Sequence, residues 1–243
     1  MNRLAPLAIA VSLLLCAPAQ AQRRGGKSTR KPVRGPSGPV FVAQSPDDPA
    51  EGEIDGRNYT NKYFGFRIAF PEGWFVLNDV GKAEAKERAK TVIKPLGSMD
   101  KQALDQAVER TFHMLFVRQY VDATPERPSA ILVVMGELLS VMNLSPLQYA
   151  QAMKSVMMTR STIKVEPVGD ITTERLAGEE SARLMVKVAA PGGIEAKQEY
   201  YVTIRRGYAV VFLLTYVDEE QHALLAESLN SVTFQQPGQQ PGK

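Results

Sequence analysis

The sequence is poor in the side chains that most catalytic centres and metal sites use. It has one cysteine, Cys16, and two histidines, His113 and His222. A zinc site or a histidine-based centre needs several such groups at a fixed spacing, and spacings such as H-x-x-x-H do not occur. A G-x-S-x-G elbow, a P-loop and a dinucleotide fingerprint are also missing. The sequence therefore predicts no catalytic residue, no metal site and no cofactor.

Both histidines have ordinary structural interpretations. His113 lies in the mixed run Phe112–Phe116, where we expect a strand residue with its hydrogen bonds satisfied. His222 follows a run of acidic residues at the start of a predicted helix, where we expect it to be exposed to solvent. Neither is a predicted site residue.

Apolar runs long enough to span a bilayer are absent, and the longest run lies at the N-terminus. Arg3 precedes the uncharged stretch Leu4–Cys16, and Ala19-Gln20-Ala21 supplies an A-x-A cleavage pattern. The stretch is shorter than the roughly 20 residues that a membrane-spanning helix needs. We therefore predict that residues 1–21 are a signal peptide cleaved near Ala21. The mature chain is then secreted or periplasmic, without a transmembrane helix.

The position of Cys16 raises the alternative of a lipoprotein. Lipoprotein processing requires a small residue before the cysteine, and bulky Leu15 argues against it. Cleavage after Ala21 leaves a mature chain without cysteine. That chain has no disulfide, no thiolate nucleophile and no cysteine-ligated zinc.

Charge is distributed unevenly along the chain. Residues 23–34 carry six basic side chains and no acid, whereas residues 47–55 carry five acids and no base. Residues 57–234 hold 21 basic and 21 acidic side chains, so the net charge of +3 does not arise there. We predict a disordered charged linker over residues 22–56, a folded domain over residues 57–234 and a disordered Gln/Pro tail over residues 235–243.

The basic side chains near the N-terminus are the predicted binding residues. Each charge near an anionic surface can add about 1 kcal/mol, and export makes nucleic acid a poor candidate partner. Anionic envelope polymers and lipid head groups are the alternatives to an unknown protein partner. A solubilising spacer, partly neutralised by its own acidic stretch, explains the same residues. They are Arg23, Arg24, Lys27, Arg30, Lys31 and Arg34.

Within the predicted domain, the pattern indicates an α+β fold. Phe64, Phe66, Ile68 and Phe70 alternate with other residues, which predicts a strand with one buried face that ends at Pro71. Helices are predicted over Lys82–Val92, over Ala103–Arg110, from an N-cap at Ser145 and from an N-cap at Asp218. Strands are predicted over Thr111–Val121, Ala130–Leu138, Ser181–Ala190, Ile194–Arg205 and Tyr208–Val217. Their short connections predict an antiparallel sheet flanked by helices.

The aromatic strand, which reads F-G-F-x-I-x-F-P-x-G-W, resembles the PsbP-like family. The C-terminal order of meander, apolar strand Ala209–Leu214, helix and short ending at Phe234 is also similar. This family comprises the extrinsic subunit of photosystem II and many secreted bacterial relatives. The resemblance implies an α/β/α sandwich and an accessory binding role instead of catalysis. It implies no functional residue of this chain, and the segment from Lys82 to Arg110 departs from the compact family domain.

Two further side-chain groups suggest chemistry. Glu179-Glu180 and the pair Glu195 and Glu199 are candidates for general acid and base, but an exposed, charged hairpin face explains them better. Although Met153 and Met157 have the helical spacing at which methionine usually fills a core, four methionines suggest copper in an exported protein. They are Met142, Met153, Met157 and Met158.

Three functional hypotheses follow. The first is an exported, non-enzymatic domain that binds a protein or envelope partner. The second is a cofactor-free hydrolase that uses Glu195 and Glu199. The third is an envelope-tethering module that acts through its basic N-terminal segment. Tyr59, Tyr63 and Phe64 with Trp74 are candidates for lining a groove, with core packing as the simpler expectation.

Overall fold

The computed structural model describes residues 48–89, 92, 105–106, 108–139, 143–189 and 193–235. The predicted signal peptide with Cys16, the six basic residues and nearly all of the C-terminal tail lie outside these residues. The predicted helix over Ala103–Arg110 is described only at residues 105–106 and 108–110, which are helical.

Within the described residues, the chain alternates between runs of strands and single helices. The helices are α1 (Asp79–Ala89), α2 (Pro146–Arg160) and α3 (Glu219–Asn230). The strands are β1 (Glu53–Asp55), β2 (Asn58–Asn61), β3 (Phe66–Ala69), β4 (Phe75–Val76), β5 (Thr111–Arg118), β6 (Ile131–Leu138), β7 (Val165–Pro167), β8 (Thr172–Leu176), β9 (Glu179–Ala189), β10 (Glu195–Arg205), β11 (Tyr208–Tyr216) and β12 (Thr233–Phe234).

The larger of two antiparallel sheets has the strand order β4-β5-β6-β11-β10-β9-β7, and β8 also pairs with β9. Strands β9, β10 and β11 form a continuous meander in which Tyr201 lies opposite Arg183 on one side and Phe212 on the other. The turn at Arg206-Gly207 has positive φ at both residues, which suits a tight hairpin. The predicted antiparallel sheet is confirmed.

The aromatic strand belongs to a second sheet of order β1-β2-β3-β12. Phe64, Phe66, Ile68 and Phe70 are all buried, as the alternation predicts. They pack on one face of the larger sheet, against residues such as Phe212, whose ring lies 5.5 Å from that of Phe66. A sheet and helix α3 therefore cover this face together.

Helix α2 covers the other face of the larger sheet. Its predicted start is confirmed, because Ser145 Oγ accepts from Gln148 N and Gln148 Oε1 accepts from Ser145 N. Asp218 caps α3 by accepting from Gln221 N at 2.8 Å. The two faces enclose separate hydrophobic cores: the first core lies between the larger sheet and α2, and the second lies between the larger sheet and the second sheet with α3. The predicted α+β fold, with helices packed on an antiparallel sheet, is confirmed.

Part of the segment that the sequence assigns to a linker is folded. Residues 48–56 were predicted to be part of the disordered linker, yet β1 lies within them and pairs with β2. The cause is the fully buried Asn61, whose amide donates to the carbonyls of Pro49 and Glu51 at 3.0 and 2.9 Å. Polar composition alone does not reveal such an anchor, because it depends on a buried side chain outside the segment.

No helix among the described residues has the length and apolar character that crossing a bilayer requires.

Candidate functional site

The carboxylates that suggested acid–base chemistry do not converge. Glu195 and Glu199 are four residues apart on one strand, about 13 Å of extended chain. Glu195 is exposed and pairs with Lys187 Nζ at 2.8 Å. Glu179 pairs instead with Arg205 Nη1 at 2.6 Å. These groups form separate ion pairs, so the structure does not support a hydrolytic pair of Glu195 and Glu199.

Glu199 is the centre of a buried polar cluster that the sequence did not reveal. Its side chain is fully buried, so the expectation of an exposed hairpin face is wrong for this residue. Oε2 accepts from Arg183 Nε at 2.9 Å and from the Tyr201 hydroxyl at 2.8 Å. Oε1 accepts from the Tyr216 hydroxyl at 2.6 Å and lies 3.1 Å from His222 Nε2. We call these five residues the Glu199 cluster.

The hydrogen bonds of the Glu199 cluster fix the charge of its carboxylate. Burial by itself would raise the pKa of Glu199, but the donors on Tyr216, Tyr201 and Arg183 together lower that pKa below its usual value. An ionised carboxylate that is surrounded by donors and closed to solvent is a poor general acid, and it has little room to accept a substrate proton. The arrangement instead binds α3 to β9, β10 and β11, so its evident role is structural.

The two histidines differ from their predicted settings. His222 is only 30% exposed, and its ring stacks on Tyr216 at 4.5 Å. The expectation of a solvent-exposed His222 is therefore wrong, because the helix turns this residue toward the sheet. His113 is a strand residue as predicted, but its Nε2 has no hydrogen-bond partner among the described residues. Burial and the nearby charges of Lys82 and Lys86 lower its pKa to about 4.

The methionines that suggested copper do not form a site in the described residues. Met153 and Met157 are buried under α2 in the first core, as core packing predicts. Met158 is 44% exposed, and Met142 lies outside the described residues. No group of three or more His, Cys, Asp or Glu side chains is arranged for a metal in the part of the chain that the structure describes.

An open groove of about 460 Å³ runs between the two sheets where β1 and β4 end them. The β-bulge between His113 and Leu115 places Met114 and Leu115 together in the second core, and both reach the groove. The groove residues are Asp48, Ala50, Glu51, Gly52, Glu53, Ile54, Tyr59, Thr60, Lys62, Tyr63, Val76, Asp79, Lys82, Met114 and Leu115. We call this surface the β1–β4 groove.

The β1–β4 groove combines exposed apolar side chains with carboxylates. Ile54 is 47% exposed and Val76 is 38% exposed, on opposite strands of the groove. Phe75 and Val80, the neighbours of Val76 and Asp79 in the sequence, are also exposed. An exposed patch of apolar side chains with polar residues around it is typical of an interaction surface.

Close packing fixes the β1 side of the groove. A Cβ on Gly52 would lie 2.2 Å from the Tyr59 ring, so only glycine fits there. Tyr59 is itself buried, which raises the pKa of its hydroxyl to about 12. Since the Tyr59 ring cannot move into solvent without opening the second core, the groove wall is rigid at this point.

The sequence identified part of this surface. Of the aromatic residues that it suggested for a groove, Tyr59 and Tyr63 do line one. Phe64 is fully buried in the second core, and Trp74 packs partly buried against that core. Three acidic residues of the groove, Asp48, Glu51 and Glu53, belong to the acidic run of residues 47–55, which the sequence analysis interprets as part of a linker. The predicted binding residues Arg23, Arg24, Lys27, Arg30, Lys31 and Arg34 lie outside the described residues.

Comparison with protein-family models gives no match, and neither does comparison with curated proteins. Solved structures do match. Cyanobacterial PsbP (CyanoP) from Synechocystis sp. PCC 6803 has 14% identity, covers 83% of this chain and 98% of its own, and gives a TM-score of 0.45. LpqN of Mycobacterium tuberculosis, described as involved in cell envelope biogenesis, has 13% identity over 76% of this chain and 88% of its own, with a TM-score of 0.42. A structure from Bacteroides thetaiotaomicron has 10% identity over 76% of this chain and 51% of its own, with a TM-score of 0.41.

Cyanobacterial PsbP, a member of the family that the aromatic strand resembles, is among the solved structures to which this chain is similar. No functional residue is transferred from these proteins to this chain.

Proposed function

We propose that this protein is an exported, non-enzymatic accessory domain that binds a protein partner of the cell envelope through the β1–β4 groove. The observation that carries the proposal is the groove itself, where two sheets end beside exposed Ile54 and Val76. Export rests on the signal peptide predicted for residues 1–21.

The shape of the groove favours an extended segment of the partner. Strand β1 is the end strand of its sheet, and an end strand offers backbone groups to which another extended chain can bind. Apolar side chains on such a segment would contact Ile54 and Val76. The partner segment therefore resembles a strand with apolar residues on one face.

The charge of the groove selects among such segments. Asp48, Glu51, Glu53 and Asp79 outnumber Lys62 and Lys82, so a basic segment is favoured and an acidic one is repelled. The short, acidic β1 also protects the sheet edge from pairing with neutral strands.

The test is crosslinked capture from a native envelope extract. The bait is the mature chain, residues 22–243, and the groove variant carries Ile54→Ser and Val76→Ser. The matched control carries Leu138→Ser and Met158→Ser, which are similarly exposed but lie outside the groove. We expect one partner to be captured by the wild type and the control and lost with the groove variant. Equal capture by all three proteins would refute binding through the groove.

A further inference from the structure

We infer that the β1–β4 groove binds the chain's own basic segment, residues 23–34, so that this segment competes in cis with the proposed partner. The inference rests on the groove of the proposed function, but its test needs no partner. Failure here would therefore leave partner binding intact.

Charge complementarity is the first argument. Lys62 Nζ lies 2.5 Å from Glu53 Oε1, and Lys82 Nζ lies 3.6 Å from Asp79 Oδ1, so each basic residue of the groove is already matched with an acid. Among the described residues, the carboxylates of Asp48 and Glu51 have no ion-pair partner. The groove thus has a net negative charge, and the largest uncompensated positive charge in the sequence is the segment 23–34.

The path of the chain is the second argument. Asp48, the first described residue, itself lines the groove, so the chain enters the described structure at the groove. Residues 35–47 separate it from the basic segment, and thirteen residues span at most about 45 Å. The tether therefore lets the basic segment reach the whole groove. A short tether of this kind gives an effective concentration on the order of millimolar, so weak contacts suffice for occupancy.

The composition of the segment fits the apolar part of the groove as well. Pro32 and Val33 lie between Lys31 and Arg34 in the sequence. An apolar pair flanked by charges matches a surface on which Ile54 and Val76 are exposed beside carboxylates.

The mature chain allows a direct test, because it contains no cysteine after Ala21. A nitroxide attached to Ser28→Cys would broaden the amide signals of nearby residues in an NMR spectrum of ¹⁵N-labelled protein. We expect strong broadening at groove residues such as Gly52, Thr60 and Lys82. Amides of the β7–β8 and β8–β9 turns, near Asp170 and Gly178, should keep their intensity, because neither turn lines the groove.

Matched charge variants separate groove binding from general attraction. The triple variant Glu51→Gln, Glu53→Gln, Asp79→Asn should restore most of the lost intensity at the groove. The control triple Asp170→Asn, Glu180→Gln, Glu220→Gln changes the net charge equally at exposed positions outside the groove and should restore little. Salt near 1 M, where the Debye length is about 3 Å, should also restore the intensity of the groove signals, because it screens the attraction between the segment and the groove.

Three outcomes would overturn the inference. Broadening spread evenly over the surface would mean that the segment has no preferred site. Equal effects of the two triples would mean that net charge alone matters, as expected if the segment serves an anionic envelope surface instead. A further sample would mix spin-labelled chains that lack ¹⁵N with ¹⁵N-labelled chains that lack the nitroxide. Broadening of the groove signals in this mixture would mean that the segment binds the groove of a second copy.

Discussion

The Glu199 cluster and the β1–β4 groove are both built around carboxylates, yet their surroundings differ completely. Glu199 is sealed from solvent and surrounded by side chains from three strands and a helix. The groove carboxylates are exposed, and some lack a cationic partner in the described residues. A buried charge is tolerated only when it is paired, so the side chains that pair with it stabilise the fold and are not available to bind a ligand. Exposed charges beside apolar groups remain available for binding.

The largest effect should come from removing the buried carboxylate. Glu199→Ala leaves Arg183 and two tyrosine hydroxyls without their acceptor, and we expect a loss of about 3–5 kcal/mol in the free energy of unfolding. Urea denaturation measures it. The matched control, Glu195→Ala, should unfold like the wild type because an exposed ion pair contributes little. Similar midpoints for the two variants would contradict a structural role for the cluster.

Buried His113, which lies outside the Glu199 cluster, should make the stability depend on pH. Because the pKa of His113 falls from 6.5 to about 4 on folding, the unfolded chain binds a proton more readily between these values. Stability is therefore retained above pH 6.5 and decreases by about 3 kcal/mol as the pH falls to 4. His113→Leu should unfold with a flatter pH dependence in this window. An unchanged slope would show that His113 is not buried in its neutral form.

Glu199 should act in a lower pH window. Its pKa is lowered in the folded state, so its stabilisation is present above the ordinary pKa of a glutamate, about 4.5, and is lost as the pH falls through the folded value. Unfolding of Glu199→Gln should consequently depend less on pH below 4.5 than that of the wild type. Parallel curves for the two proteins would rule out an ionised carboxylate in the cluster.

A smaller effect should follow from crowding the groove wall. Gly52→Ala places a methyl group against the Tyr59 ring, and such overpacking costs about 1–3 kcal/mol. We expect a lower melting temperature together with weaker partner capture, since the wall must shift. The control Gly136→Ala, which would crowd Phe112, should lower the melting temperature without affecting capture, because neither residue lines the groove. Loss of capture by both variants would mean that instability alone explains the result.

The smallest effect on stability should come from the exposed apolar residues. Ile54→Ser and Val76→Ser remove side chains that are about half exposed, so we expect a change within about 0.5 kcal/mol. Thermal unfolding checks this. A clear destabilisation would show that these residues stabilise the packing of the two sheets. The groove would then have a structural role, as the Glu199 cluster does.

Local signals predicted most of the fold. Ser145 with Gln148 and Asp218 define helix starts through contacts three residues apart, and Phe66 and Ile68 define a buried face by alternation. Such features depend on neighbours in the sequence, so a sequence reveals them.

The site was harder to predict because its contacts are distant in the sequence. In the sequence, Glu199 has the pattern of an exposed strand residue. In the structure, three other elements place Arg183, Tyr216 and His222 around it. The groove is formed by residues between 48 and 63 together with residues between 76 and 82, Met114 and Leu115. Its acidic part has the composition of a linker, and only the structure shows that Asn61 holds it in place. Composition describes a segment alone, whereas these roles arise from tertiary packing.

In this account, the β1–β4 groove binds the partner and the Glu199 cluster stabilises the fold. The most direct test compares capture of the envelope partner by two variants of the mature chain at a temperature where circular dichroism shows both folded. Glu199→Gln should capture the partner as the wild type does, whereas Ile54→Ser with Val76→Ser should lose it. Capture that is lost with folded Glu199→Gln and retained by the groove variant would contradict the account.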